Sequence, residues 1–429
     1  MDKDLRMGSH AVNDRMRQRR RASAGVPAGL RIALSALGAA LAVSALTTAF
    51  SGRALAAPAP PATAAVAAGQ VAEHWGSFFG NTNGDVDTEW RPASVHLPDP
   101  IAQVASSNST EYALLTNGSV YAWGLGSQGE LGDGGTGNSF DSPVQVRFPA
   151  GVKIAALPAD VMPYDTGLAL DTSGHVWGWG DNAGGSLCLG TTSTYLTPVE
   201  LPVQGVTLLA AASTHTLFDA GATVYSCGSN LDGDLGDGGT ASSTTPVKVA
   251  GLNGSAVVQL VASFANSGAL LSDGTYYDWG YNGAGQLGDG RSGPQSDVPV
   301  AVSLPRRVRQ VALGGSIWDN GQTLVLLHNY AVWAWGNDSW GQLGNQAEHS
   351  EASPVRIYPP SGAIYVHLAT GATTSYAVGA VGRVFAWGNS DDGQLGDGQS
   401  GISLKPVWIA SGGVAISATA DNVVIDIRP

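Results

Sequence analysis

The sequence predicts an all-β fold, a seven-bladed β-propeller, and three observations lead to that fold class. A segment of about fifty residues recurs along the chain, and the two ends of the repeat region are complementary halves of one unit. The composition agrees, because 59 Gly and 12 Trp with only 13% charged residues are typical of short strands joined by tight turns.

Each copy of the repeat contains a Trp-Gly pair or its equivalent. The Gly of that pair stands at positions 76, 124, 180, 228, 280, 336 and 388, so successive copies lie 48 to 56 residues apart. A polar loop with Gln-Leu-Gly-like residues follows, and then a Pro-Val run. Each copy reads as three or four short strands without helical periodicity, which predicts small four-stranded sheets.

The ends of the repeat region distinguish a closed ring from an open solenoid. The chain finishes with residues 413–427, the first half of a unit, and the region opens with the missing half at Val71–Gly76. Pairing the two halves completes a seventh blade and removes open sheet edges. We therefore predict a propeller at 71–429, with repeats about 52 residues long, whose ring is closed by its N- and C-terminal strands in one blade.

Two copies carry the loop motif most completely, at Asn282–Gly290 and Asn389–Gly398. They resemble the regulator-of-chromosome-condensation repeat family, whose unit has the pattern V-Y-x-W-G-x-N-x-x-G-Q-L-G-x-G followed by P-x-x-V or P-V-x-V. The resemblance covers about residues 71–429 and implies a seven-bladed propeller. It also implies one function, guanine-nucleotide exchange on a small GTPase.

The N-terminal region has the features of an export signal. Five arginines between Arg15 and Arg21 precede a charge-free run from Ile32 to Phe50, and Ala54–Ala56 supplies small residues for cleavage. We predict an export signal at 1–56 cleaved after Ala56, a Pro/Ala-rich linker at 57–70, and a secreted or cell-envelope location. The chain would then be an exported, bacterial-type family member; an uncleaved segment would be a membrane anchor.

The charge and the residue pattern exclude several kinds of partner. After residue 56 the chain has 12 basic and 31 acidic residues, and so acidic a domain repels phosphate backbones. We expect no nucleic-acid partner. No Cys/His spacing or Asp-rich turn matches a metal site, so we expect no metal and no cofactor. A closed ring has no need of a second copy, and we expect a monomer.

Residues that recur in nearly every unit are assigned to packing between blades. These structural residues are Trp123, Trp179, Trp279, Trp335 and Trp387. Cys227 replaces the Trp of its unit, and Cys188 lies in the Gln-Leu-Gly region of the unit before. Neighbouring blades would bring the two cysteines together, either as a disulfide or as two small buried thiols.

The turn before the second strand of each unit varies most, and propeller geometry places all its copies on one face. Aromatic, carboxylate and amide groups there suit a protein or carbohydrate partner, although they are equally compatible with unselected loop residues. The candidate partner-binding residues are Glu111, Tyr164, Asp165, Asn266, Trp318, Asp319, Tyr376 and Asp421.

These observations predict a secreted or cell-surface binding module that engages a protein or glycan through one loop-lined face. No catalytic motif is present, and we expect no enzyme. Two alternatives stay open. One is a regulator similar to an exchange factor, which needs a cytosolic or nuclear GTPase. The other is a glycan-acting enzyme with two axial acids about 5–10 Å apart, for example Asp165 with Asp319.

Overall fold

The computed structural model describes residues 71–79, 86–107, 110–158, 165–212, 214–252, 254–315, 321–360, 362–418 and 422–427. The predicted export signal (1–56) and linker (57–70) lie outside these ranges. Every regular element within them is a β-strand. Over the same ranges, no helix has the length and apolar character needed to cross a membrane.

The described residues form 28 strands in seven antiparallel sheets of four strands, one sheet per blade. Blade 1 contains β3 (Ile101–Ser106), β4 (Thr110–Leu115), β5 (Val120–Gly124) and β6 (Ser139–Gln145). Blade 2 contains β7 (Ile154–Ala156), β8 (Thr166–Asp171), β9 (Val176–Gly180) and β10 (Tyr195–Glu200). Blade 3 contains β11 (Val206–Ala211), β12 (His215–Ala220), β13 (Thr223–Gly228) and β14 (Ser243–Lys248).

The remaining blades follow the same plan. Blade 4 contains β15 (Val257–Ala262), β16 (Asn266–Leu271), β17 (Tyr276–Asn282) and β18 (Gly293–Ala301). Blade 5 contains β19 (Val308–Leu313), β20 (Gln322–Leu327), β21 (Val332–Gly336) and β22 (Glu351–Ile357). Blade 6 contains β23 (Tyr365–Thr370), β24 (Thr374–Gly379), β25 (Arg383–Asn389) and β26 (Ile402–Ser411). Blade 7 contains β27 (Gly413–Ala418), β28 (Asn422–Ile427), β1 (Val71–Phe79) and β2 (Val86–Val95).

The two ends of the described chain meet in blade 7, as the sequence predicts. Its strand order is β2-β1-β28-β27, and β1 pairs antiparallel with β28 from Val71 opposite Ile427 to Gly76 opposite Asn422. The predicted seven-bladed propeller, closed by its terminal strands, is therefore confirmed.

In blades 1 to 6 the second strand is the most deeply buried and the outer strand is the most exposed. The first strands of neighbouring blades contact one another near the axis, and the second strands are almost wholly buried. The outer strands are mostly exposed, as in β14 and β18. Polar and charged side chains that recur along the outer strands therefore face solvent, and substitutions there leave the core unchanged.

The Trp of each Trp-Gly pair joins its blade to the loop of the preceding blade. All five predicted structural tryptophans are fully buried. Four of their indole nitrogens donate to the carbonyl that precedes the loop Leu: Trp179 to Glu130 (2.7 Å), Trp279 to Asp234 (2.9 Å), Trp335 to Gln286 (2.7 Å) and Trp387 to Gln342 (2.9 Å). One geometry thus connects blade 1 to blade 2 and each of blades 3, 4 and 5 to the blade that follows it.

Glycine is required where the loop crosses the tryptophan. Gly288 has φ +61°, and a Cβ at this position would lie 2.7 Å from Nε1 of Trp335. Gly344 has the same relation to Trp387, with φ +72° and a 2.6 Å approach. The Gly of the Gln-Leu-Gly motif therefore allows both the left-handed turn and the close contact with the ring.

The joint between blades 2 and 3 replaces both members of this contact. Cys188 stands where the other loops have Gly, with φ +56°, and Cys227 stands where the other blades have Trp. In the structure the two cysteines form a disulfide with Cα atoms 5.5 Å apart. A covalent bond here takes the place of the indole–carbonyl contact.

A buried acid interrupts a second repeated contact in blade 5. In blades 2 to 4 an Asn accepts a hydrogen bond from the loop Leu amide and donates one to a loop carbonyl; these are Asn182, Asn230 and Asn282. Asp338 occupies that position and accepts from the Leu343 amide at 2.8 Å. Its other oxygen is buried without a hydrogen-bond partner among the described residues. Burial raises the pKa of Asp338 to about 7.

Replacing this acid with the amide of the other blades should stabilise the protein at high pH. The pKa of Asp338 is higher in the folded than in the unfolded chain, so folding takes up a proton between about pH 4 and 7 and stability falls as pH rises. We expect Asp338→Asn to raise the free energy of unfolding by about 1–3 kcal/mol at pH 8 and by little at pH 4. Urea unfolding of the wild type and the variant at pH 8 and pH 4 measures the difference in stability. An equal increase in the free energy of unfolding at both pH values would contradict the prediction.

Candidate functional site

Half of the predicted partner-binding residues lie outside the described part of the chain. They are Tyr164, Trp318, Asp319 and Asp421. The prediction for these four residues stands as it was made, and so does the alternative that pairs Asp165 with Asp319.

Three other candidates are buried, which corrects the expectation that they face a partner. Glu111 and Tyr376 are fully buried, and Asn266 is 2% exposed. The reason is that all three belong to the second strands of their blades, which are buried on both faces. Each side chain projects into the space between neighbouring sheets or strands rather than out of the face.

The buried candidates make structural contacts. The Asn266 amide donates to the Tyr281 carbonyl at 2.7 Å, and the Tyr376 hydroxyl donates to the Gln394 carbonyl at 2.7 Å. Oε2 of Glu111 lies 3.3 Å from Nδ1 of His74, at the junction of blades 7 and 1. Burial raises the pKa of Glu111, and the interaction with His74 opposes that rise. Asn266 and Tyr376 thus bond within their own blades, and Glu111 connects blade 1 to blade 7.

Asp165 is the described candidate that retains partial exposure. It precedes β8 with φ +50°. Burial, together with the negative charges of Glu130 and Asp181, raises its pKa to about 7. No group of three or more His, Cys, Asp or Glu in the described ranges could hold a metal ion. Asp165 therefore has the position of a contact residue, without a metal cluster around it.

The described part of the chain contains a second candidate surface, a groove between the outer strands of blades 5 and 6. We call it the basic groove; it has a volume of about 600 Å³. Three cations line it: Arg356 on β22, Arg383 on β25 and Lys405 on β26. None of the three forms an ion pair with a described acid. Their positive charges are therefore available to a ligand.

Two exposed aromatic rings hold the arginines of the basic groove. The guanidinium carbon of Arg356 lies 4.9 Å from the ring centroid of Tyr358, and that of Arg383 lies 5.7 Å from the ring centroid of Trp408. Tyr358 is 66% and Trp408 62% exposed, which is unusual for rings of this size. Stacking on a ring restrains the planar guanidinium and leaves its edge N–H groups free to donate.

The wall of the basic groove is formed by both blades. The loop of blade 5 crosses onto blade 6, where the Gln346 amide donates to the Leu404 carbonyl at 3.0 Å. Val407 and Ala363 supply partly exposed apolar surface, with the buried Phe385 ring beneath them. The site therefore combines separated positive charges with a hydrocarbon floor.

The basic groove is also where blade 6 departs from the repeat. At the position of Arg383, immediately before the Trp-Gly strand motif, the other blades have Ser119, His175, Thr223, Thr275 and Ala331. At the position of Lys405, immediately before the Pro-Val pair, they have Ser142, Thr197, Thr245, Val298 and Ser353. Among blades 1 to 6, only blade 6 has Arg or Lys at these two positions, while blade 7 has Arg91 at the second of them. Residues needed for packing recur in every blade, whereas a binding site requires such asymmetry.

Comparison with known proteins agrees with this architecture. The family model of the "Regulator of chromosome condensation (RCC1) repeat" matches residues 117–157, 173–218, 222–269, 273–317, 331–378 and 381–421. The ultraviolet-B receptor UVR8 of Arabidopsis thaliana is 27% identical over 345 residues, covering 78% of this chain and 77% of the receptor. The human E3 ubiquitin-protein ligase HERC2 is 30% identical over 298 residues, covering 68% of this chain. The chain spans only 6% of that ligase.

A solved structure supports the fold. The crystal structure of Prp20p from Saccharomyces cerevisiae, a protein described with its binding to Gsp1p and histones, has a TM-score of 0.71 to this chain. The two share 20% identity, over 84% of this chain and 92% of Prp20p. At that identity the similarity establishes a common fold.

Proposed function

The chain belongs to the RCC1-repeat family, and from that premise we propose that it is an exported binding protein that engages a partner protein through the basic groove. The observation that carries this proposal is the concentration of exposed aromatic rings and unpaired cations where blade 6 departs from the repeat. Prp20p, which shares the fold, is described as binding proteins, which supports a binding role for the propeller.

Two further features support export. The sequence before residue 57 has the order of a signal peptide, with a basic segment, an apolar run and small residues. The disulfide between Cys188 and Cys227 suits an oxidising compartment, since thiols are kept reduced in the cytosol.

Export is tested by reading the N-terminus of the protein recovered from culture medium and from the cell fraction by mass spectrometry. A soluble extracellular species that begins at Ala57 is the expected result. An uncleaved species in the cytosol would contradict export, and nucleotide exchange on a small GTPase would become the function to assay.

Binding through the basic groove is tested by returning two of its cations to residues that other blades use. We expect Arg383→Ser/Lys405→Ser to weaken partner capture from the medium by about 10- to 100-fold, since each of these exposed cations would contribute about 1 kcal/mol to binding. Ser occupies the equivalent positions in blade 1, so the double variant should keep its fold.

The matched control is Arg147→Ser/Lys248→Ser, which removes two exposed cations from the outer edges of blades 1 and 3. It should retain the partner. If both double variants lose partner capture equally, the attraction is a general electrostatic one. If both capture the partner as well as the wild type does, the basic groove is excluded as the binding surface.

A further inference from the structure

The basic groove presents two kinds of chemistry to a ligand at once. Arg356 and Arg383 have planar guanidinium groups that can donate two parallel hydrogen bonds to a carboxylate, and Lys405 adds a third positive charge. Ala363 and Val407, both partly exposed, offer apolar surface in the same groove. A ligand that satisfies the whole site must carry separated negative charges and an apolar group. A simple inorganic anion would leave the apolar side chains of the groove exposed to water.

The charge distribution of the chain limits the size and source of that ligand. The region 57–429 has 12 basic and 31 acidic residues, and a quarter of those cations lie in this one groove. A long polyanion would extend from the groove over an acidic surface and be repelled there. The chain's own N-terminal region is also unsuitable, because residues 1–56 carry nine basic and three acidic residues.

We infer that the basic groove binds a short acidic peptide segment of the partner, in which carboxylates flank an aromatic or large aliphatic side chain. This inference rests on the proposed function and deepens it. The apolar side chain covers Ala363 and Val407, and the flanking carboxylates pair with Arg356, Arg383 and Lys405. The exposed rings of Tyr358 and Trp408 form the rim and hold the two guanidinium groups in place.

The test uses the protein from residue 57 onward and three fluorescein-labelled peptides in anisotropy titrations. The first has the core Asp-Glu-Phe-Glu-Asp, the second replaces every acid with its amide, and the third replaces Phe with Ser. We expect the first to bind, and each of the other two to bind at least about tenfold more weakly. Raising NaCl from 50 to 500 mM should also weaken the first peptide several-fold.

Protein variants locate the binding. Arg383→Ser/Lys405→Ser should weaken the first peptide about tenfold or more, while Arg147→Ser/Lys248→Ser should not. Trp408→Ala should weaken it as well, because Arg383 loses the ring on which it stacks. Thermal unfolding of each variant checks that the fold is retained.

Four outcomes would overturn the inference. The first is that the amide peptide binds as tightly as the acidic peptide, and the second is that a sulfated polysaccharide binds more tightly than the acidic peptide. The third is that the wild type forms a dimer that Arg383→Ser/Lys405→Ser abolishes. The fourth is that this double variant binds the acidic peptide as tightly as the wild type does. The proposed function fails separately. If acidic peptides do not bind but Arg383→Ser/Lys405→Ser still fails to capture the partner, the inference about the acidic peptide is wrong. The proposal that the partner binds at the basic groove is then still supported.

Discussion

Trp335→Ala is expected to lower the free energy of unfolding by about 3–5 kcal/mol, the range for removing a large buried aromatic side chain. Trp335 is fully buried and donates to the Gln286 carbonyl of the preceding blade at 2.7 Å. Truncation leaves a cavity between blades 4 and 5 and a buried carbonyl without its donor. The variant would therefore lose stability because the sheets of blades 4 and 5 no longer pack through this indole.

Urea unfolding followed by far-ultraviolet circular dichroism measures this loss without depending on tryptophan fluorescence. Trp408→Ala is the matched control, because it removes the same side chain from a site that is 62% exposed. We expect that variant to change the free energy of unfolding by less than about 0.5 kcal/mol. A Trp335→Ala loss as small as that of the control would show that the indole contact does not determine the stability of the joint.

Removing the disulfide is expected to have the next largest effect. Cys188→Ser/Cys227→Ser should lower the free energy of unfolding by about 2–4 kcal/mol, because a bond between residues 39 apart restricts the unfolded chain and the variant restores that freedom. The loss is measured by urea unfolding without reductant. With dithiothreitol present, the wild type should approach the double-serine variant.

A second double variant shows whether the disulfide substitutes for the usual joint. Cys188→Gly/Cys227→Trp restores the residues of the other blades, and Thr216, which pairs with position 227, has a counterpart in Thr323 beside Trp335. We expect it to be more stable than the double-serine variant and insensitive to reductant. Stability equal to that of the double-serine variant would show that this joint cannot accept the indole.

The repeat predicted the propeller well because every copy must bury the same faces against its neighbours. Trp179 and Trp387 recur at equal positions in the unit and make equal contacts, so recurrence alone identifies their role. The complementary ends likewise predicted the pairing of β1 with β28. These features depend on periodicity, which a single sequence displays fully.

The candidate site was less predictable, for two reasons. The inner-turn candidates were chosen by sequence position near a turn, but Glu111 and Asn266 already belong to second strands, which are buried on both faces. The basic groove was missed because Arg383 and Lys405 meet Arg356 of the blade before only in the folded ring. Alignment of the strands would have revealed Arg383 and Trp408 as exceptions among blades 1 to 6.

Closure of the ring by β1 and β28 also sets an order of events during folding. Val71 pairs with Ile427, so the strand that is synthesised first gains this neighbour only after the last strand has been made. Contacts this distant in sequence form slowly, since the intervening chain must be organised before the ends can meet. Blades 1 to 6 are each continuous in sequence and can form before that point. The propeller is therefore completed only after the strand Asn422–Ile427 is available to pair with Val71–Phe79.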